Sequence, residues 1–197
     1  MIVTVAGFKG GIGKSTTAVH LAGHMSGHGP TALVDGDPNR SATGWARRGS
    51  LPFRVVDERS AARAARDHAH LVIDTQARPT REDLTALAES CDLLILPTIP
   101  NLLDLDALMA TVETLQAIGP ARFKVLLTIV PPKPSRDGEE ARAALAEAGL
   151  VVFGASVRRA AAFAKAAVAG CLVRDVKDPR AHECHEDYER VGRETLQ

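Results

Sequence analysis

Residues 2–16, Ile-Val-Thr-Val-Ala-Gly-Phe-Lys-Gly-Gly-Ile-Gly-Lys-Ser-Thr, pass through three kinds of local chemistry in fifteen positions. Ile2 to Val5 is an apolar, β-branched run that reads as a buried strand. Gly10-Gly11-Ile12-Gly13 is a turn in which glycines let backbone N–H groups face inward. Lys14-Ser15-Thr16 opens an Ala/Leu-periodic segment that reads as a helix. Strand, glycine loop and helix N-terminus together form a phosphate cradle, because the helix end adds partial positive charge. In such a cradle Lys14 reaches the β- and γ-phosphates, and the Ser15 hydroxyl ligates Mg²⁺.

The same alternation continues along the chain. Ala32–Val34, Phe53–Asp57, Leu71–Thr75, Leu93–Pro97, Phe123–Val130 and Val151–Phe153 read as further strands. Between them, Ser15–Met25, Asn39–Trp45, Ala61–His70, Arg81–Ser90, Leu103–Ile118, Glu139–Ala148 and Val157–Ala169 read as helices. Gly119-Pro120 closes the long fifth helix, and Pro179–Leu196 is a polar C-terminal helix. Connections are a few residues long. The expected fold is α/β: one domain over 1–197, doubly wound, with a mostly parallel sheet of about seven strands and helices on both faces. Aromatics are only 4% of a chain that is 45% apolar, so its core must be built from Ala, Val and Leu.

Three carboxylates stand at strand ends, where open α/β sheets place their ligands. Asp74 closes the strand Leu71–Thr75 and sits where a Walker B aspartate holds Mg²⁺. Asp35 and Asp37 follow the second strand in Val34-Asp35-Gly36-Asp37-Pro38, where the plain alternative is an Asx turn.

The ordinary P-loop has glycine at the place held here by Phe8, and its first half is replaced by Lys9-Gly10-Gly11. This Lys-Gly-Gly-x-Gly-Lys-Ser form resembles the deviant Walker A motif of the ParA/MinD family of ATPases. Asp35-Gly36-Asp37-Pro38 is similar to that family's Asp-x-Asp-Pro segment. Leu93 to Leu105 looks like the strand and proline-bearing loop of small partition ATPases, where the region sits at a dimer interface; a simple strand exit and first helical turn accounts for it equally well. The resemblance implies ATP and Mg²⁺ as cofactors. It implies nucleotide contacts from Lys9, Gly10, Gly11, Ile12, Gly13, Lys14, Ser15 and Thr16, and metal contacts from Ser15, Asp35 and Asp74. Lys9 would reach across an ATP-dependent homodimer to the partner's nucleotide, and Asp37 would position the attacking water, with Lys9, Lys14 and Asp37 as the catalytic set. Slow hydrolysis would time the release of non-specifically bound DNA, stimulated by a ParB-like or small adaptor protein. The role implied is to segregate or position DNA or another cargo in the cytoplasm, on the nucleoid when ATP is bound. One departure is Asp74-Thr75-Gln76-Ala77-Arg78-Pro79, where relatives carry Thr-Pro-Pro or a glycine turn; Arg78 could touch nucleotide or partner, or be an ordinary surface arginine.

Two other readings of the same loop stay open: a MinD-like membrane-associated switch, and a metabolic or cofactor-assembly enzyme. Against the first, the tail Glu186–Arg193 is acidic and polar, unlike a membrane-lying helix, and no apolar run approaches ~20 residues. Against an iron–sulfur carrier, Cys91, Cys171 and Cys184 are widely spaced. Together with the absence of a basic-then-apolar leader, they fit a reducing cytoplasm. His182, Cys184 and His185 match no closed zinc spacing. Formal net charge is zero, so DNA contact requires a local basic patch. The candidates are Arg158, Arg159, Lys165, Arg174, Lys177 and Arg180, with Arg158 and Lys165 seven apart on one expected helical face.

Overall fold

The computed structural model describes residues 1–77, 79–118 and 122–197; Arg78 and the Gly119-Pro120 turn lie outside them. In chain order the elements are β1 (Ile2–Gly7), α1 (Lys14–Met25), β2 (Thr31–Gly36), α2 (Ser41–Arg48), β3 (Arg54–Asp57), α3 (Ala61–Asp67), β4 (His70–Ala77) and α4 (Arg81–Ser90). They continue with β5 (Leu93–Thr98), α5 (Leu102–Ile118), β6 (Phe123–Leu127), α6 (Asp137–Glu147), α7 (Ala161–Ala169) and α8 (Ala181–Thr195). Single 3₁₀ turns follow β3 and precede α8.

All six strands are parallel, in the order β3-β2-β4-β1-β5-β6. Alternate residues of each strand serve opposite faces. Val3, Val5, Leu33, Val72 and Ile95 meet α1, α2, α7 and α8 in the larger core. Ala6, Leu94 and Leu96 meet α4, α5 and α6, and Val34 and Leu71 meet Ala64 of α3 on that same second side. This is the doubly wound layering expected from the alternation. The seventh expected strand, Val151–Phe153, is present as a single parallel bridge from Val152 to Val125 at the β6 edge.

One expected helix start is corrected. Residues 157–159 are extended, not helical: Val157 N–H donates to Leu127 O, and Arg159 N–H donates to Val130 O. Their backbone donors are taken by the sheet edge, so α7 begins only at Ala161. Arg158 and Lys165 therefore share no helical face.

β1 lies between β4 and β5, whose following helices cover the face opposite α1. Its carboxyl end is thus a topological switch point, where a crevice opens above the sheet. The glycine loop sits there.

The phosphate hollow and its walls

Gly11 (φ 78°) and Gly13 (φ 86°) hold the left-handed conformation that non-glycine residues avoid. Gly13 is also the N-cap of α1, with no side-chain cap and no acid in the first turn. The first amides of α1 are therefore left for a ligand. Thr128, just past β6, braces the loop by donating its hydroxyl to Ile12 O (2.8 Å) and Thr98 O (3.1 Å). The result is a cavity of about 460 Å³ floored by Gly10, Gly11, Gly13, Lys14, Ser15 and Thr16, with Asp37 opposite. Ile12 turns its side chain into the core, so only its backbone is available to a ligand.

The two lysines part company. Lys14 is buried, and its Nζ donates to Lys9 O at 2.9 Å inside the loop. Burial pulls its pKa down, opposed by the charges of Asp74 and Asp37. Lys9 does not line the cavity. Its Nζ lies 3.1 Å from Asp104 Oδ1 on the first turn of α5, with the lysine side chain 37% exposed. Asp104, an acid in the first turn of α5 where it complements the helix dipole, is also this lysine's partner.

The carboxylates differ as sharply. Asp74 is fully buried and neither oxygen has a hydrogen-bond partner. Burial pushes its pKa up to about 7; the nearby Ser15 hydroxyl pulls back, while Asp35 and Asp37 push the same way as burial. Two orphaned carboxylate oxygens beside a serine hydroxyl are what a hard divalent cation would satisfy, so the residues present fit Mg²⁺. Asp35 is equally buried but fully engaged: Oδ2 accepts from Thr43 N–H (2.7 Å) and Oγ1 (2.6 Å), and Oδ1 from Asp37 N–H (3.3 Å). It fastens the start of α2 and the turn carrying Asp37. Asp37 Oδ1 accepts from Asn39 N–H and Nδ2, in the Asx-type pattern, while the residue still faces the cavity.

The far end of the cavity is apolar, built by Ile129, Val157, Phe163 and Tyr188, with Arg159 exposed at the rim. These wall residues escaped the sequence reading. Phe163 stands out only as a rare aromatic in an alanine-rich stretch, and the single tyrosine as one in a charged helix. Tyr188 is stacked on His20 (4.8 Å) and shares a hydrogen bond with Thr17 Oγ1 (3.1 Å). His20 Nε2 accepts from Val173 N–H (3.0 Å), so its proton is on Nδ1, which donates to Thr16 O (2.8 Å). Burial depresses its pKa to about 4. A neutral imidazole thus ties α1 to the C-terminal segment.

The Lys-Gly-Gly-x-Gly-Lys-Ser cradle matches a known sequence class. Residues 3–173 match the family model described as the CobQ/CobB/MinD/ParA nucleotide binding domain. The chain belongs to that family. With its MinD and ParA members it is an ATPase of the deviant P-loop type. It is similar to the maintenance of carboxysome distribution protein A of Gloeobacter kilaueensis, 35% identical over 98% of this chain and 93% of that one. Its fold matches a plasmid partition protein from Borrelia burgdorferi bound to AMPPNP, with a TM-score of 0.76 at 16% identity, covering 99% and 98% of the two chains. It also matches MinD from Pyrococcus horikoshii complexed with Mg-ADP, with a TM-score of 0.72 at 16% identity, covering 98% and 95%.

Cys184 is in the core, and His182 and His185 lie one turn from Glu186 and Glu189. No helix among the described residues is long and apolar enough to cross a membrane.

Proposed function

We propose that this protein is a ParA-like positioning ATPase that pairs with a second copy around ATP, holds DNA while paired, and lets go after slow hydrolysis. One observation carries the reading: of two lysines in one glycine loop, Lys14 is folded into its own cradle and Lys9 is turned out of it. A loop serving only its own nucleotide has no use for the second lysine there. In the paired state Lys9 leaves Asp104 and meets the nucleotide of the other copy. Leu102 and Leu103, 73% and 70% exposed beside Asp104, are the apolar part of the same contact.

Ser15 and Asp74 would hold Mg²⁺, which neutralises charge on the β- and γ-phosphates. Asp35 acts at one remove, by fixing the turn that presents Asp37. Asp37 orients the attacking water, and Gly10 to Thr16 bind the phosphate chain. Phe163 and Val157, at the apolar end of the cavity, would receive the base. Segregating a plasmid and distributing an organelle-like cargo both fit this cycle; the carboxysome-distribution relative favours a cargo other than DNA itself. A small adaptor or ParB-like protein would stimulate hydrolysis, at the nucleoid within the cytoplasm.

Light scattering of the full chain with no nucleotide, ADP or Mg-ATP tests the pairing. The expected result is doubling of mass with Mg-ATP alone, enhanced in Asp37→Ala and lost in Lys9→Ala, although Lys9→Ala still binds nucleotide. A constant monomer mass in all conditions, or undiminished turnover by Lys9→Ala, rules the cross-subunit role out.

A further inference from the structure

Four of the six basic candidates toward the C-terminus are poor ones for holding DNA because carboxylates already pair them, while Arg159 and Lys177 have no side-chain partner among the described residues. Arg158 is clamped by Asp187, with Nε–Oδ2 at 2.7 Å and Nη2–Oδ1 at 2.8 Å, and also bonds Glu183. Lys165 pairs with Asp178 (2.7 Å), Arg180 with Glu183 (3.6 Å) and Arg174 with Asp175 (3.8 Å). A polyanion would have to displace a carboxylate at each.

A different part of the chain carries mostly unopposed charge, with Arg63 alone among its described arginines paired to a carboxylate, Asp67 at 3.5 Å. Residues 40–66 hold seven arginines, no lysine, and only two acids, Asp57 and Glu58. All seven arginines are exposed. Residues 82–113 show the converse, with seven acids and no Lys or Arg. A chain of zero net charge is thus strongly polarised.

Topology gathers part of the arginine set in one place. A crossover helix must return the chain to the amino end of the sheet before the next parallel strand begins. The last turns of α2 (Arg47, Arg48) and α3 (Arg66) therefore lie at that end, as does Arg54, the first residue of edge strand β3. Among the described residues Arg47, Arg54 and Arg66 make no hydrogen bond or ion pair; Arg48 donates to Ala167 O. A basic last turn also complements a helix dipole, and charge on an edge strand discourages sheet-to-sheet pairing. Those roles ask for a residue or two, on lysine or arginine alike, and not for an acid-free run from Pro38 to Val56.

We propose that this end of the β3 edge, opposite the nucleotide crevice, is the surface that docks the phosphate backbone of duplex DNA. Arginine suits phosphate through its planar, bidentate donors. No apolar face is offered for insertion into a lipid surface: none of the large exposed apolar side chains falls between residues 40 and 70, and α2 buries Ala42 and Trp45 in the core. Because the patch faces away from the crevice, two copies paired at their crevices would both keep it open. The proposal rests on the DNA-binding part of the function above and names its location.

The test is fluorescence anisotropy of a labelled random-sequence duplex with the full chain and Mg-ATP, across a salt series. Arg47→Ala/Arg54→Ala/Arg66→Ala is compared with Lys165→Ala/Lys177→Ala/Arg180→Ala, which removes the same charge from the C-terminal group. The edge variant is expected to bind about tenfold or more weakly, and to lose about 0.9 from the salt slope per phosphate contact removed. The C-terminal variant is expected to stay within about twofold of wild type, and the edge variant's ATP turnover to be unchanged. Equal binding by the edge variant, or a larger loss in the C-terminal one, overturns the location and leaves DNA binding standing. If wild type shows no affinity for duplex at low salt, DNA binding itself fails and takes this surface with it. Flotation of wild type, but not the edge variant, with phosphatidylserine vesicles and no binding to duplex would assign the surface to membrane instead.

Discussion

Asp35 and Asp74 are cross-strand neighbours in register, on β2 and β4, each fully buried at the mouth of one crevice. Asp35 accepts three hydrogen bonds from its own chain, whereas Asp74 accepts none. The first carboxylate is spent on shape and the second is held in reserve. Burial alone therefore does not separate these two aspartates; hydrogen-bond accounting does.

The largest test of the contrast is Asp74→Asn. Hydrolysis with Mg-ATP should fall by about 100-fold or more, as expected when a group holding the metal is lost. The nucleotide-free protein should instead become more stable at pH 8, by about 1–3 kcal/mol, because an unpaired buried charge is gone. Calorimetric melting would read this as a rise in Tm of several degrees. Asp35→Asn should move the other way. It strands Thr43 and the Asp37 turn, costing about 2–3 kcal/mol in urea unfolding. If both variants melt alike, the two aspartates are not distinct.

Acid titration sharpens the comparison next. His20 is neutral when folded, with a pKa of about 4, and would take up a proton near 6.5 when unfolded. Between those values the unfolded state binds more protons, so stability falls as pH falls, by about 3 kcal/mol in all. Asp74 has the opposite slope. Its folded pKa of about 7 lies above the unfolded 3.8, so it costs stability as pH rises through that window. Wild type should show a shallow dependence between pH 4 and 7. Asp74→Asn should expose the full His20 slope, read as denaturant midpoint against pH. The smallest expected effect is Tyr188→Phe, which loses the hydrogen bond to Thr17 for about 1 kcal/mol and keeps the apolar wall.

How much of this could be read in advance depends on the sequence distance over which each feature forms. Gly11, Gly13, Lys14 and Ser15 act through local backbone geometry, so their spacing announces them. The place of Asp74 behind the apolar run Leu71–Ile73 is likewise a local pattern, although β4 runs on to Ala77. The partner of Lys9 is 95 residues away, and no periodicity connects Lys9 to Asp104. The start of α7 is not legible in propensity, because the extended stretch at 157–159 is imposed by hydrogen bonds to 127–130. The C-terminal basic group looked available because a list of arginines does not show that Asp187 and Asp178 already hold two of its members.

Thr128 has a single hydrogen to give and two carbonyls to give it to, at Ile12 and at Thr98. One belongs to the glycine loop and the other ends β5, so this donor is divided between the ligand-gripping loop and a central strand. Valine has nearly the same outline and no hydrogen to share. A chain with valine there would keep its packing and leave the loop to find its curvature without a tether.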